Sequence, residues 1–157
     1  MTIIDKFRLD NQVAVITGAG KGIGAGIARA FAEAGADGVL AARTEADLQA
    51  VAADITALGR RALVVPTDVL DFAQLQELAD RAMAEFGRID ILVNNAGGFP
   101  PKPMLQTSAK EFEGAFRFNV TTAFELSRIC VPHMVESTGG GAILNISSIA
   151  GHKPTPC

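Results

Sequence analysis

The sequence contains no tyrosine and no tryptophan, and only two of its 157 residues are cysteine. None of these residues can therefore supply a phenol as an acid or a base. Cys130 and Cys157 have no spacing typical of a metal site, and Cys130 falls in an apolar helical pattern, which predicts a buried thiol. The sequence thus predicts no metal site and no disulfide framework.

The sequence also has no excess of positive charge and no long apolar run. The formal net charge is -3, which gives no general attraction to nucleic acid or anionic membranes. No run is apolar enough to span a bilayer, and the first residues, MTIIDKFRLDNQ, are charged where a secretory signal is apolar. We therefore expect a cytoplasmic protein with a single domain over residues 1–157.

Five short apolar runs are separated by helical patterns. Runs of this kind are typical of strands that are buried on both faces of a sheet. Strands that alternate with helices predict an α/β fold with a parallel sheet and right-handed crossovers. Periodicity alone leaves the flavodoxin order and the dinucleotide-fold order open. The runs are Val13 to Thr17, Gly38 to Ala42, Ala62 to Pro66, Ile89 to Asn94 and Ala142 to Ser147.

Capping residues and glycines indicate where the helices begin and end. Thr44 with Asp47, and Ser108 with Glu111, have the spacing of a capping box, and Asp71 is a candidate N-cap. The glycines at the predicted C-terminal ends are Gly35, Gly59, Gly87 and Gly139.

A glycine-rich turn, TGAGKGIG, joins the first strand to the first helix. Glycines at such a turn allow backbone amides to approach a phosphate at the positive end of the helix, although a tight turn alone would also explain them. A P-loop is excluded because no Lys-Ser/Thr pair follows at the required spacing. The candidate phosphate-binding residues are Gly18, Gly20, Lys21, Gly22, Ile23 and Gly24.

The pattern Thr-Gly-x-x-x-Gly-x-Gly resembles the short-chain dehydrogenase/reductase family, and three further stretches extend the resemblance over the chain. They are NNAG (Asn94 to Gly97), Asn119 in the long helix, and NISS (Asn145 to Ser148). The resemblance implies a Rossmann-type doubly wound parallel sheet with strand order 3-2-1-4-5, with later strands and helices missing.

The end of the second strand indicates which nicotinamide cofactor is bound. Dinucleotide folds that select NAD carry an acidic residue there, whereas this chain has Ala42 followed by Arg43. With no acid at that position to repel a 2′-phosphate, and with Arg43 and Lys21 available to bind it, the sequence predicts NADP(H) over NAD(H). A solvated surface role for Arg43 is the alternative.

Other cofactor contacts are implied by the resemblance. Asp68 and Val69 would flank the adenine, although Asp68 also suits a turn. The segment from Asn95 through Ala96 to Gly97 would line the ribose, and Ile146 would contact the cofactor as well.

The resemblance also implies hydride transfer between NADP(H) and a small carbonyl or alcohol substrate. Ser148 would hydrogen-bond the substrate oxygen, and Asn119 would anchor a proton-relay water. Within the apolar helix face formed by Phe112, Phe116, Val120 and Ala123, Asn119 is predicted to be buried. The loop GGFPPKPMLQTS is similar to hydroxysteroid-dehydrogenase-like and 3-oxoacyl-reductase-like members.

The catalytic Tyr and Lys of the family lie further along the chain than Cys157. We therefore expect a truncated dehydrogenase that is inactive alone and that forms a dimer or homotetramer when intact. The alternative is a complete, non-catalytic nucleotide-binding or interaction module. The topology favours truncation, since it predicts an uncovered sheet face over the fourth and fifth strands. The apolar residues concerned are Ile89, Ile91, Leu92, Val93, Ile143, Leu144 and Ile146.

Overall fold

The computed structural model describes residues 2–149; Cys157 lies outside the described residues. Five parallel strands form one sheet in the order β3-β2-β1-β4-β5, which confirms the order implied by the resemblance. Ile146 continues the last pairing beyond β5, because its N–H donates to the Asn94 carbonyl at 2.9 Å. The strands are β1 (Val13–Thr17), β2 (Asp37–Ala42), β3 (Ala62–Pro66), β4 (Ile91–Asn94) and β5 (Ala142–Asn145).

Helices cover both faces of this sheet. One apolar core lies between the sheet and the first two helices, and a second core lies between the sheet and the third and fifth. The helices are α1 (Gly22–Glu33), α2 (Glu45–Ala57), α3 (Phe72–Phe86), α4 (Ala109–Phe116) and α5 (Thr122–Thr138). Among the described residues, no helix is both long and apolar enough to cross a membrane.

Two of the three predicted helix caps are present. Asp71 accepts a hydrogen bond from the Ala73 amide, and Ser108 and Glu111 form a reciprocal capping box. The box predicted for Thr44 and Asp47 is wrong, because the Thr44 side chain makes no capping hydrogen bond and Asp47 turns toward a lysine instead. The four predicted terminal glycines all have positive φ.

The predicted uncovered sheet face is confined to β5. Ile91 and Val93 belong to the core on the side of the first two helices, and Ile89 and Leu92 belong to the core on the other face, so the prediction that they are uncovered is wrong. Of the seven apolar residues predicted to be uncovered, only Ile143, Leu144 and Ile146, on β5 and its extension, are more than a third exposed. A groove of about 520 Å³ beside β5 is lined by Phe31 of α1 and by residues at the amino ends of β1, β4 and β5.

The long helix between β4 and β5 departs from the predicted pattern. A π-helical segment, Arg117–Thr121, joins α4 to α5. Because a π-helical turn contains more residues than an α-helical turn, the side chains that follow it are rotated around the helix axis from their predicted positions. Phe112, Phe116 and Val120 are exposed, and so is Asn119, so the predicted burial of this apolar face is wrong for the chain alone. The sequence pattern correctly identifies an apolar face, but no described residue covers it.

Candidate functional site

The glycine-rich turn approaches neighbouring backbone so closely that side chains are excluded. Gly18 has φ of +65°, and a Cβ on Gly24 would lie 2.2 Å from the Gly18 carbonyl oxygen. A Cβ on Gly20 would lie 3.0 Å from the Asp47 Cβ and 3.7 Å from the Ala42 Cβ. The turn therefore leaves its backbone accessible and brings it against the ends of β2 and α2.

The amino end of α1 is suited to an anionic group. Its N-cap is Lys21, whose side chain makes no capping hydrogen bond, and its first turn contains no acidic residue. The first amides of a helix lack intrahelical partners and carry partial positive charge, so they bind phosphate well. Ile23 is two-thirds exposed beside them. The residues present thus fit the pyrophosphate of a dinucleotide.

Hydrogen bonds join the glycine-rich turn to the NNAG segment. The buried Thr17 hydroxyl accepts from the amides of Asn95 and Ala96, each at 3.0 Å, and donates to the Val93 carbonyl. The Asn95 side chain donates to the carbonyls of Thr17 and Gly18, at 3.0 and 3.3 Å. These contacts hold two predicted cofactor segments at the carboxyl ends of β1 and β4, where open α/β sheets bind ligands.

The end of β2 carries the predicted cation, but an acid lies nearby. Arg43 is exposed and makes no hydrogen bond or ion pair with any residue within 2–149. Lys21 pairs with Asp47 across 3.0 Å. The expectation that no anion lies near the proposed 2′-phosphate site is therefore wrong. Position 42 is an alanine, but Asp47 of α2 brings a carboxylate to the neighbouring Lys21.

The segment after β3 holds Asp68 and Val69 in an ordered turn. Asp68 Oδ1 accepts from the Leu70 amide at 3.0 Å, while the Asp68 amide donates to the Gln74 side chain at 2.8 Å. Asp68 Oδ2 makes no hydrogen bond with the part of the chain that is described, and Val69 is buried. Asp68 therefore has the turn role that the sequence left open and still carries a spare acceptor for an adenine amino group.

Asn119 lies against the segment that follows NNAG. Its Oδ1 accepts from the Gly98 amide at 2.8 Å, and its Nδ2 donates to the carbonyls of Gly98 and Ala115. A Cβ on Gly97 would lie 2.7 Å from Asn119 Oδ1, so a larger residue there would displace the Asn119 amide. The contact brings the helix that contains Asn119 next to the proposed ribose-lining segment.

The carboxyl ends of β4 and β5 are joined by asparagine side chains. Asn94 Nδ2 donates to Asn145 Oδ1 at 2.9 Å and to Ser127 Oγ at 3.1 Å. This contact supports a structural role for Asn94. Ser148 follows β5 by three residues and is exposed. The strand order therefore places the start of the Ser148 segment at the same sheet edge as the glycine-rich turn.

Two titratable groups near these elements have structural roles. A hydrogen bond from Lys102, together with the Ser108 cap, lowers the pKa of Glu111 to about 2, and this pair fixes the proline-rich loop to α4. Burial raises the pKa of the Cys130 thiol to about 12, so it is not a nucleophile near neutral pH.

Among residues 2–149, no group of His, Cys, Asp and Glu is arranged to hold a metal ion.

Sequence reasoning missed three residues that organise this site. Thr17 was visible only as part of the glycine motif, and its bonds to the NNAG segment depend on the pairing of β1 with β4. The pattern of α2 identifies Asp47 only as a capping residue, and nothing in the sequence singles out Gln74. The spacing of Asp47 and Gln74 within their own helices gave no indication of contacts with Lys21 and Asp68.

Comparison with known proteins agrees with this fold. The family model described as short chain dehydrogenase matches residues 12–157. The chain therefore belongs to the short-chain dehydrogenase family. It is 52% identical to an uncharacterized oxidoreductase of Mycobacterium tuberculosis (strain CDC 1551 / Oshkosh) over 149 residues, which are 95% of this chain and 57% of that protein.

Two further relatives are hydroxysteroid dehydrogenases. The 7alpha-hydroxysteroid dehydrogenase of Escherichia coli K12 is 44% identical, with coverage of 95% of this chain and 58% of that protein. A solved 7 alpha-hydroxysteroid dehydrogenase, complexed with NADH and 7-oxo glycochenodeoxycholic acid, superposes with a TM-score of 0.93 at 41% identity. That match covers 99% of this chain and 60% of the solved one. The chain thus spans a little over half the length of these relatives.

Proposed function

We propose that these residues form the cofactor-binding part of an oxidoreductase that transfers a hydride between NADP(H) and a carbonyl or secondary alcohol. The observation that carries the proposal is the contact between the glycine-rich turn and the NNAG segment through Thr17 and Asn95. It creates an open backbone cradle at the sheet edge where dinucleotides bind. The names of the relatives support the same reaction class.

Each cofactor group has a proposed partner in this cradle. The turn Gly18–Gly24 would hold the pyrophosphate, and Asp68 and Val69 would flank the adenine, with Asp68 accepting from its amino group. Asn95, Ala96 and Gly97 would line the ribose, and Ile146 would contact the cofactor as well. When bound, the cofactor supplies or accepts the hydride. The protein's task is to hold the nicotinamide against the substrate carbon and to exclude water.

Ser148 and Asn119 are the proposed catalytic residues of this segment. The Ser148 hydroxyl donates to the substrate oxygen as charge develops there, and Asn119 positions a water that relays the proton. The acid that completes the reaction is a tyrosine in the resembling family, and these 157 residues contain none. We propose that residues 1–157 alone are catalytically inactive.

The proposed preference is for NADP(H). Its support is the absence of an acid at Ala42 together with the unpaired guanidinium of Arg43 among residues 2–149. A guanidinium binds phosphate through two parallel hydrogen bonds and does so better than it binds a ribose hydroxyl. NAD(H) is the second candidate, and it is favoured by the NADH in the solved relative and by the carboxylate of Asp47.

Replacing Ala42 by Asp and Arg43 by Gln in the complete gene product tests the preference. We expect the affinity for NADPH to fall roughly ten- to a hundredfold, because a charge-assisted phosphate contact is worth about 1.5–3 kcal/mol. Calorimetric titration with NADPH and NADH measures the change. Arg29→Gln, which neutralises an exposed arginine of α1 that pairs with Asp54, is the matched control. An unchanged ratio of the two affinities contradicts the preference.

We also propose that the complete protein assembles from identical subunits. The support is an exposed apolar face along α4 and α5 that no described residue covers, because contiguous apolar surface of this kind often marks a protein–protein interface. A second copy would bury it in an isologous helix pairing. The face consists of Phe112, Phe116, Val120, Phe124, Val131 and Val135, each more than 40% exposed.

A further inference from the structure

Asp47 is positioned to act on cofactor binding. It lies in the first turn of α2, and its carboxylate is 3.0 Å from the ammonium of Lys21 in the glycine-rich turn. Its Cβ is 3.0 Å from the position that a Cβ on Gly20 would take. The carboxylate therefore borders the same turn that is proposed to receive the cofactor phosphates.

The contact differs from the other ion pair of the same helix. Asp54 pairs with Arg29, and both side chains are about half exposed, as is usual for a surface pair of little consequence. The Asp47 side chain is only 27% exposed, whereas Lys21 is 79% exposed. Asp47 is thus held in place by its surroundings, and the lysine reaches back to it from solvent.

Helix capping does not account for the position of the carboxylate. Thr44 is the N-cap of α2 and makes no side-chain capping bond, so the two residues do not form the reciprocal box. A general dipole interaction would be satisfied by any acid of this turn, and Glu45 provides one. The direction of Asp47 toward Lys21 therefore requires a further explanation.

We propose that Asp47 is a selectivity residue that restrains the preference for NADP(H) by holding Lys21. This inference rests on the proposed function. While Lys21 is paired with Asp47, its charge is partly offset and its ammonium is held at the carboxylate. A phosphate has to compete with a resident carboxylate for the lysine, whereas the ribose hydroxyl of NAD(H) places no such demand. The carboxylate missing at Ala42 is in effect supplied from the neighbouring helix.

Asp47→Asn in the complete gene product tests this inference. Asn preserves the shape of Asp and removes its charge, so Lys21 is released to the phosphate. We expect the ratio of NADPH affinity to NADH affinity to rise by about two- to fivefold, consistent with a partly exposed ion pair. Calorimetric titration with each cofactor at low ionic strength measures the ratio. Asp54→Asn, on the same helix and also in an ion pair with a basic residue, should leave the ratio unchanged.

A second background tests the route through the lysine. In a Lys21→Gln protein, Asp47→Asn should change the ratio much less, since no ammonium remains to be released. An undiminished shift in that background overturns the proposal. Asp47→Ser serves as a second variant if Asn lowers the thermal midpoint, and an unchanged ratio in the variant that folds like wild type also overturns it.

The same titrations separate this inference from the proposed cofactor preference. A wild-type protein that prefers NADH contradicts the preference for NADP(H) but leaves the Asp47 test intact, because that test measures a shift and not a starting value. A ratio that moves toward NADH in Asp47→Asn overturns the role of Asp47 whatever the wild type prefers.

Discussion

Ser148→Ala in the complete gene product is expected to lower kcat by about a hundred- to a thousandfold, with little change in the affinity for NADPH. The size follows from the loss of one positioned donor to an oxygen on which charge develops in the transition state. The ground-state cofactor contacts come from the glycine-rich turn and the NNAG segment. Steady-state kinetics combined with calorimetric titration separates the two effects.

Ser147→Ala is the matched control for this substitution. The two hydroxyls are adjacent in sequence, both residues are exposed, and both follow the end of β5 at Asn145. Successive side chains of extended chain point in opposite directions, so only one of the pair is expected to face the substrate. If Ser147→Ala lowers kcat more than Ser148→Ala does, the assigned position is off by one residue and the proposed role of Ser148 is wrong.

Residues 1–157 expressed alone are expected to show no turnover of any carbonyl with NADPH. General acid–base catalysis contributes about 10²–10⁴-fold, and these residues contain no tyrosine to supply the acid. The apolar surfaces on β5 and along α4 and α5 are also expected to make this chain bind hydrophobic dyes or self-associate.

Activity assays on this chain need a control for contaminating host reductases. Residues 1–157 that carry Gly24→Ala provide it, because the added Cβ would meet the Gly18 carbonyl oxygen and obstruct the turn. Turnover that persists in the unmodified chain and is lost in this variant would show that another group of these residues supplies the proton. Such a result contradicts the mechanism proposed for Ser148 and Asn119.

The sheet could be predicted from local sequence because its strands are short, apolar and separated by helices with clear starts. The order of the strands could not be predicted from periodicity and came from the motif resemblance. The burial of β4 could not be predicted from topology alone, because it depends on side chains that several elements contribute. Ile91 and Val93 belong to one core with the alanines of α1 and with apolar residues of α2 and the central strands.

The backbone half of the site could be predicted, and its electrostatics could not. Glycines mark the turn because only they tolerate the close approach of Gly18 and Gly24. The contacts of Thr17 and Asp47 join residues from different elements, and nothing in the spacing of one element indicates a partner in another. The apolar pattern around Asn119 predicts that this residue is buried. The structure leaves it exposed, because no described residue packs against that face.

Hydride transfer itself is tested most directly with cofactor labelled by deuterium at C4 of the nicotinamide. The complete gene product is incubated with each of the two labelled epimers of NADPH and of NADH, together with a panel of ketones and aldehydes. The account predicts an alcohol with one deuterium on the former carbonyl carbon, from one epimer only, and more efficiently with NADPH than with NADH. The absence of deuterated alcohol from every labelled cofactor, in a protein that binds NADPH by calorimetry, would contradict the account.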